Sequence, residues 1–246
     1  MMHAQLLLKK FKMEPTGKLY LIPNLLGDSD MNLSITPGVK EIVNQLRHFI
    51  VENEKTARRH LRAIGFEQPF DDVELYPIGK HSDPTQFGSY LKVTNSGQHM
   101  GVFSEAGLPG IADPGAEIIR IAHQRNIKVV PLTGPSSIIM ALITSGMNGQ
   151  QFSFHGYIPK EKGDRIKKLH TMEKAVVSFG SQIFMETPFR NNQLLEDILN
   201  HCSPNTELCI ATDITLETES IQTRALKDWK SAKLDLSKRP TVFVFG

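Results

Sequence analysis

A short apolar run, Met100 to Phe103, passes directly into Ser104-Glu105-Ala106-Gly107-Leu108-Pro109-Gly110-Ile111-Ala112-Asp113-Pro114-Gly115. That loop in turn passes into Ala116 to Arg125, which carries Ile118, Ile119, Ile121 and Ala122 at helical spacing. A strand joined to a helix through a glycine-rich loop commits the stretch to an α/β sheet. The loop then stands at the carboxyl end of its strand, where open α/β sheets hold their ligands. Glycines at 107, 110 and 115 put no side chain between backbone and ligand, and they tolerate positive φ. Two glycines and a proline between Gly107 and Ile111 exceed what a plain connection needs, so Ser104 to Ile111 reads as ligand-contacting. Asp113 and Pro114 have a simpler explanation, an N-cap followed by proline at the first helical position, so capping and contact both stay open for Asp113 and Gly115.

The same alternation runs through the first half of the chain. Strands are expected at Lys18 to Ile22, His48 to Val51, Val73 to Ile78 and Ile127 to Leu132. Helices are expected at Thr36 to Leu46, at Thr56 to Ile64 with Gly65 as its cap, and after Asp83-Pro84. Such alternation predicts a parallel sheet with helices on both faces. Thr133-Gly134-Pro135-Ser136-Ser137 breaks the pattern, and Ile138 to Thr144 resumes as an apolar helix ended by Gly146. Beyond it the strand candidates are Phe152 to His155, Gln182 to Met185, Leu208 to Ile214, Glu219 to Arg224 and Thr241 to Phe245. The pair flanking Thr215 to Thr218 reads as a hairpin, so the second sheet is expected to be mixed. The organisation expected is therefore a disordered extension over 1–16 and two α/β domains, 17–132 with a parallel sheet and 133–246 with a mixed one.

Composition narrows the class of protein. With 40% hydrophobic and 22% charged residues in 246, the chain can bury a core of its own. No apolar run approaches the roughly 20 residues needed to cross a bilayer. Leu6 to Leu8 followed by Lys9, Lys10 and Lys12 is too little for a signal peptide. The two cysteines lack metal-ligand spacing and suggest no disulfide framework, so no metal is expected and a reducing cytoplasm is the default. A net charge of +2 neither requires nor excludes RNA. Basic residues gather at Arg58, Arg59 and Arg62, from Lys160 to Lys168, and from Lys227 to Arg239; taken singly, such clusters read as solvated faces.

Further loop clusters stand near strand ends: Pro23 to Asp30, Thr133 to Ser137, Gly156 to Pro159, Met185 to Arg190 and Ala211 to Thr215. In order and wording the set resembles the tetrapyrrole methylase superfamily and, within it, the ribosomal RNA small-subunit methyltransferase I family. The resemblance runs from about Gly17 to Gly246. It is sharpest at Ser104 to Gly115, and moderately specific at Pro131-Leu132-Thr133-Gly134-Pro135-Ser136-Ser137 and Glu186-Thr187-Pro188-Phe189-Arg190.

The resemblance implies a two-domain α/β methyltransferase, usually a homodimer, that binds S-adenosylmethionine between its domains. The absence of a G-x-G-x-x-G after the first strand agrees with a methylase outside the Rossmann type. By the same resemblance the cofactor residues would be Pro23, Ser104, Glu105, Ala106, Gly107, Gly110, Ile111, Asp113, Ser136, Ser137, Glu186 and Thr212. Ser136 also reads as a helix N-cap and Thr212 as a packed strand residue. Two motifs depart from the family wording. Pro23-Asn24-Leu25-Leu26-Gly27 replaces proline-isoleucine-glycine-asparagine-leucine, and Glu52-Asn53-Glu54-Lys55-Thr56-Ala57-Arg58 replaces an acidic-acidic-threonine-arginine motif. The chain also ends at Gly246, where many members continue into a small helical tail. These departures bear on the acceptor and leave the cofactor motifs largely standing.

The expected chemistry is methyl transfer from S-adenosylmethionine to a ribose 2′-hydroxyl of small-subunit ribosomal RNA. Glu54 is the first candidate for accepting the hydroxyl proton and Glu186 the second; Arg58, Arg59 and Arg190 are candidates for meeting RNA phosphates. A solvated Glu54, or a structural helix-start interaction between Glu186 and Arg190, accounts for the same residues without catalysis. The alternatives are a methylase of a tetrapyrrole or other small acceptor, and a non-catalytic cofactor-binding paralogue.

Overall fold

The computed structural model describes residues 16–79 and 82–246. The expected extension therefore lies, apart from Thr16, outside the described residues. The chain divides into two units. The first runs through Leu25 and again over Asp30–Pro135; the second takes Leu26–Ser29 together with Ser136–Gly246. No composition shift in the sequence marks the four-residue piece as belonging with the second unit.

In the first unit five strands, β1 (Lys18–Leu21), β2 (His48–Val51), β3 (Glu74–Pro77), β4 (Met100–Phe103) and β5 (Lys128–Pro131), form a sheet in the order β3-β2-β4-β1-β5. Every pairing is parallel, as the alternation predicts. The central strands are apolar on both faces because helices cover both. Phe49, Val51 and Phe103 pack with Val39 and Val43 of α1 (Pro37–Gln45) and with Ala57 and Leu61 of α2 (Glu54–Ala63). Their neighbours in sequence, Ile50 and Val102, pack with Leu19, Met100, and Ile118 and Ala122 of α3 (Gly115–Gln124). Side chains that alternate along a strand thus serve two separate cores.

Helix starts follow local chemistry. The Asn53 side chain accepts hydrogen bonds from the backbone N–H of Lys55 (2.9 Å) and Thr56 (3.2 Å), which starts α2 at Glu54, two residues before the expected Thr56. At α3 the N-cap position falls on Pro114 rather than Asp113, because Asp113 is held back in the preceding loop. Its carboxylate still takes one of the helix's free donors, the N–H of Gly115 at 2.6 Å.

The second unit holds β6 (Phe152–Tyr157), β7 (Ser181–Met185), β8 (Glu207–Thr212), β9 (Ser220–Ala225) and β10 (Thr241–Phe245) in the order β6-β7-β10-β8-β9. β6 and β7 are parallel and the remaining pairs antiparallel, so the sheet is mixed, and β8 and β9 form the expected hairpin. One face packs Ile183, Cys209, Ala211, Val242 and Val244 against Ala141 and Leu142 of α4 (Ser137–Ser145). The other packs Phe184, Leu208, Ile210, Phe243 and Phe245 against α5 (Lys162–Phe179) and α6 (Asn191–His201).

No bounds were expected for α5 or α6. The reason for α5 is its narrow stripe: of 18 residues it buries only Arg165, Leu169 and Met172, and the first of these is a charge. Arg165 also corrects the reading of Lys160 to Lys168 as a solvated face. It is 2% exposed, and its Nε donates to Asp197 Oδ2 of α6 at 2.7 Å. Among the described residues no helix is long and apolar enough to cross a membrane.

Candidate functional site

The loop after β4 is held by its own backbone and by one neighbour. Gly107, at φ 68°, exchanges two hydrogen bonds with Asn24: Asn24 N–H donates to Gly107 O (2.8 Å) and Gly107 N–H to Asn24 O (3.2 Å). Gly110 lies at φ 89° and its N–H donates to Asp113 Oδ2 at 2.9 Å. Ala112 is also left-handed, at φ 60°. Three left-handed residues within six is a conformation that an ordinary connection avoids and that recurs at ligand sites. Asp113 closes it by accepting from Gly110 on one side and Gly115 on the other. Burial pushes the Asp113 carboxyl up from its ordinary value, and those backbone donors pull it back.

A polar cluster from two other segments grips this loop. Asn24, 2% exposed, follows β1; its Nδ2 donates to Ser104 O (2.9 Å) and Glu105 O (3.1 Å) and faces His60 Nδ1 at 2.6 Å. Its Oδ1 accepts from Leu25 N–H at 2.8 Å. From α2, Thr56 Oγ1 donates to the Glu105 carboxylate at 2.6 Å. Just before α2, Glu52 Oε1 accepts from Glu105 N–H at 3.3 Å. Thr56 and His60 are four apart and share a helix face, which is why one helix meets the loop twice.

Burial first, and then the nearby Asp113 and Glu105 carboxylates, push Glu52 above its ordinary value, while the Glu105 N–H lowers it. An acid whose folded pKa is raised loses folded-state stability as pH rises from its unfolded to its folded value. Glu52→Gln keeps an acceptor and drops the charge. It is therefore expected to raise the melting temperature at pH 7.5, with the gain shrinking as the pH falls through the raised folded value towards the ordinary 4.5. Thermal melts across that range check the sign; a variant less stable than the parent at pH 7.5 would contradict it.

Of the residues singled out from sequence, Pro23, Ser104, Glu105, Ala106, Gly107, Gly110, Ile111 and Asp113 belong to the first unit. Pro23 is buried against Gly134, where a Cβ would lie 2.0 Å from the proline Cβ; only glycine permits that approach. Ser104 is buried and its Oγ donates to Ala106 O at 2.9 Å, whereas Glu105, Ala106 and Ile111 are exposed. Glu54 stands on the outer face of α2 and pairs with Arg58 at 3.4 Å; Arg58 and Arg59 are exposed.

Ser136, Ser137, Glu186, Arg190 and Thr212 belong to the second unit. Ser136 is the N-cap of α4, and its side chain accepts from Ile139 N–H at 3.5 Å. Glu186 is buried, accepts from Thr187 N–H at 2.6 Å and pairs with Arg190. Thr212 is buried at the end of β8, with its Oγ1 3.4 Å from that of Thr241.

Asn24, Glu52, Thr56 and His60 were not anticipated as site residues. The available signals were an asparagine in the loop after the first strand and the spacing of four along 52, 56 and 60. A separate groove of 480 Å³, lined by residues including His48, Glu74 and His99, opens at the amino ends of β2, β3 and β4, the opposite end of the strands from the glycine loop.

The curated "Ribosomal RNA small subunit methyltransferase I" of Vibrio cholerae is 29% identical over 213 residues, covering 86% of this chain and 70% of that protein. Among solved structures, the methyltransferase CobJ matches with a TM-score of 0.62 at 17% identity over 94% of both chains. The uroporphyrin-III C-methyltransferase of Thermus thermophilus, complexed with S-adenosylhomocysteine, matches with a TM-score of 0.57 at 12% identity, over 94% of this chain and 97% of that one. These two show the same fold. The family model for tetrapyrrole (corrin/porphyrin) methylases matches residues 18–229, which is most of the chain, and the protein therefore belongs to the tetrapyrrole methylase family of methyltransferases.

Proposed function

We propose that the protein, acting as a cytoplasmic homodimer, transfers the methyl group of S-adenosylmethionine to a ribose 2′-hydroxyl of small-subunit ribosomal RNA. Family membership supports methyl transfer, and the printed name of the Vibrio cholerae relative supports the RNA acceptor. The observation that carries the cofactor reading is the glycine loop with its carboxylates. Glu52, Glu105 and Asp113 surround a strained, partly exposed turn of backbone. A ligand carrying a sulfonium, an ammonium group and ribose hydroxyls fits that donor set: carboxylates stabilise the cations and accept from the hydroxyls.

The cofactor supplies an electrophilic methyl group. What the chain must add is alignment of the acceptor oxygen with that methyl, and a group to take the hydroxyl proton. Glu54 is the proposed proton acceptor, with Arg58, Arg59 and Arg190 meeting phosphates. Glu186 is a poorer candidate, because Arg190 and the Thr187 N–H already occupy its carboxylate. Pro23, Ser104 to Ile111, Asp113, Ser136, Ser137, Glu186 and Thr212 remain the proposed cofactor residues.

Calorimetric titration with S-adenosylmethionine, followed by transfer of radiolabelled methyl to unmethylated small ribosomal subunits, tests the reading in two stages. Gly107→Trp adds bulk and a left-handed strain at a buried loop position, and is expected to weaken binding by roughly 100-fold or more. Binding that is lost in this variant, with label in the ribose fraction of the RNA, is the expected result. Binding with label only in an added tetrapyrrole would move the acceptor, and no binding by the parent would remove the methyltransferase reading.

A further inference from the structure

We infer that Asn24 and His60 form a positioning pair that sets the cofactor loop, and that His60 must act in it as a neutral acceptor at Nδ1. The inference rests on the reading of that loop as the cofactor site, and it concerns residues that do not themselves touch the reacting atoms.

The argument is a count of donors and acceptors. Ser104 O and Glu105 O are carbonyl oxygens and can only accept, so the side of the Asn24 amide facing them must be its NH₂. Leu25 N–H can only donate, so the other side must be the oxygen. The amide orientation is therefore fixed by three backbone groups, independently of the histidine. Its NH₂ also faces His60 Nδ1 at 2.6 Å, so its two hydrogens serve three acceptors and one of them is shared. Two donors cannot share that contact, so Nδ1 carries the lone pair and the ring proton sits on Nε2. The same residue holds Gly107 through two backbone bonds. A single buried asparagine thus ties Ser104, Glu105 and Gly107 to one histidine on α2.

Protonation of His60 turns the acceptor into a donor facing a donor. The charged groups acting on the ring are Glu105 from the loop, which favours the charged form, and Arg59 on its own helix, which opposes it; Asn24 is uncharged. Burial outweighs both and holds the imidazole below its ordinary 6.5. For a base lowered in the folded state, the contribution is complete above the unfolded pKa and is lost as pH falls below it towards the folded pKa. The clamp is therefore intact at neutral pH and opens on acidification.

The first test is the tautomer of His60, read at pH 7.5 from the imidazole nitrogen shifts in a long-range nitrogen–proton correlation spectrum of the full chain. Neutral Nε2–H is expected; an Nδ1–H tautomer or an imidazolium overturns the inference, whether or not the protein binds cofactor. The second is the dissociation constant for S-adenosylmethionine between pH 7.5 and 5.5. The parent is expected to lose affinity as the pH falls through this range, by about 10-fold once the ring is fully protonated, the worth of roughly one hydrogen bond. His60→Phe, which has no acceptor, is expected to be weak at both ends. His60→Asn places an amide oxygen near the former Nδ1 and does not titrate, so it is expected to recover binding and flatten the profile. Glu52, Glu105 and Asp113 also take up protons on acidification, and the asparagine variant separates their effect. A parent-like acid loss in His60→Asn would overturn the inference. If the parent binds no S-adenosylmethionine at pH 7.5, it is the functional reading that fails, and the tautomer still decides the clamp.

Discussion

Asp197→Ala is expected to destabilise the second unit by about 3–5 kcal/mol, the usual cost of stripping the partner from a buried ion pair. Asp197 is 4% exposed and Arg165 2%, and they meet at 2.7 Å. Without the carboxylate the guanidinium is left charged and buried, and one of its nitrogens, Nη2, already has no partner among the described residues. The pair also anchors a turn, because Arg165 Nη1 donates to Pro159 O and Lys160 O ahead of α5. Lys162 cannot stand in for it: its Nζ is 3.9 Å from Asp197 and its side chain is two-thirds exposed. Urea unfolding followed by fluorescence reads the right unit, since the chain's single tryptophan, Trp229, is buried in this same core. The double variant Arg165→Met with Asp197→Leu is expected to recover much of the loss, because a packed apolar pair leaves no unpaired charge. A loss under about 1 kcal/mol for Asp197→Ala, the range of surface pairs, would show that the charge is solvated after all.

Glu54→Gln is expected to lower kcat for ribosomal RNA by roughly 10²- to 10⁴-fold, the range for removing a positioned general base, while leaving the S-adenosylmethionine dissociation constant within about twofold. The side chain is half exposed at the first turn of α2 and, among the described residues, paired with Arg58 alone, so the amide should cost little stability. Glu186→Gln is the informative companion. Glu186 is buried and committed to Arg190 and Thr187, so its loss should show in the melting temperature. Single-turnover methyl transfer with both variants distinguishes the roles. A Glu54→Gln enzyme within fivefold of the parent would remove Glu54 as proton acceptor and return attention to Glu52, whose carboxylate meets the Glu105 N–H.

The parallel first sheet and the mixed second one were legible in the sequence, as were the loop after β4 and the caps at Ser136 and Gly146. Each depends on residues close together in the chain: β-branched runs, glycines that accept positive φ, and hydroxyls three residues ahead of an N–H. α5 was illegible for the converse reason. Its buried stripe contains an arginine whose partner lies 32 residues away on α6, so a local reading sees only a basic cluster. Asp113 is a mixed case. Its place at the helix start could be read, but its hold on Gly110 could not, and the structure moves the cap position to Pro114.

The sequence by itself determined the fold class, the family and the glycine loop after β4, because strand, glycine loop and helix are written in contiguous residues. Only the tertiary structure decided which side chains hold that loop. Asn24 reaches His60 across 36 residues and Ser104 across 80, and Thr56 reaches Glu105 across 49. Parallel strand pairing brings these segments together at the carboxyl ends of the central strands, and nothing local to any of them records the meeting.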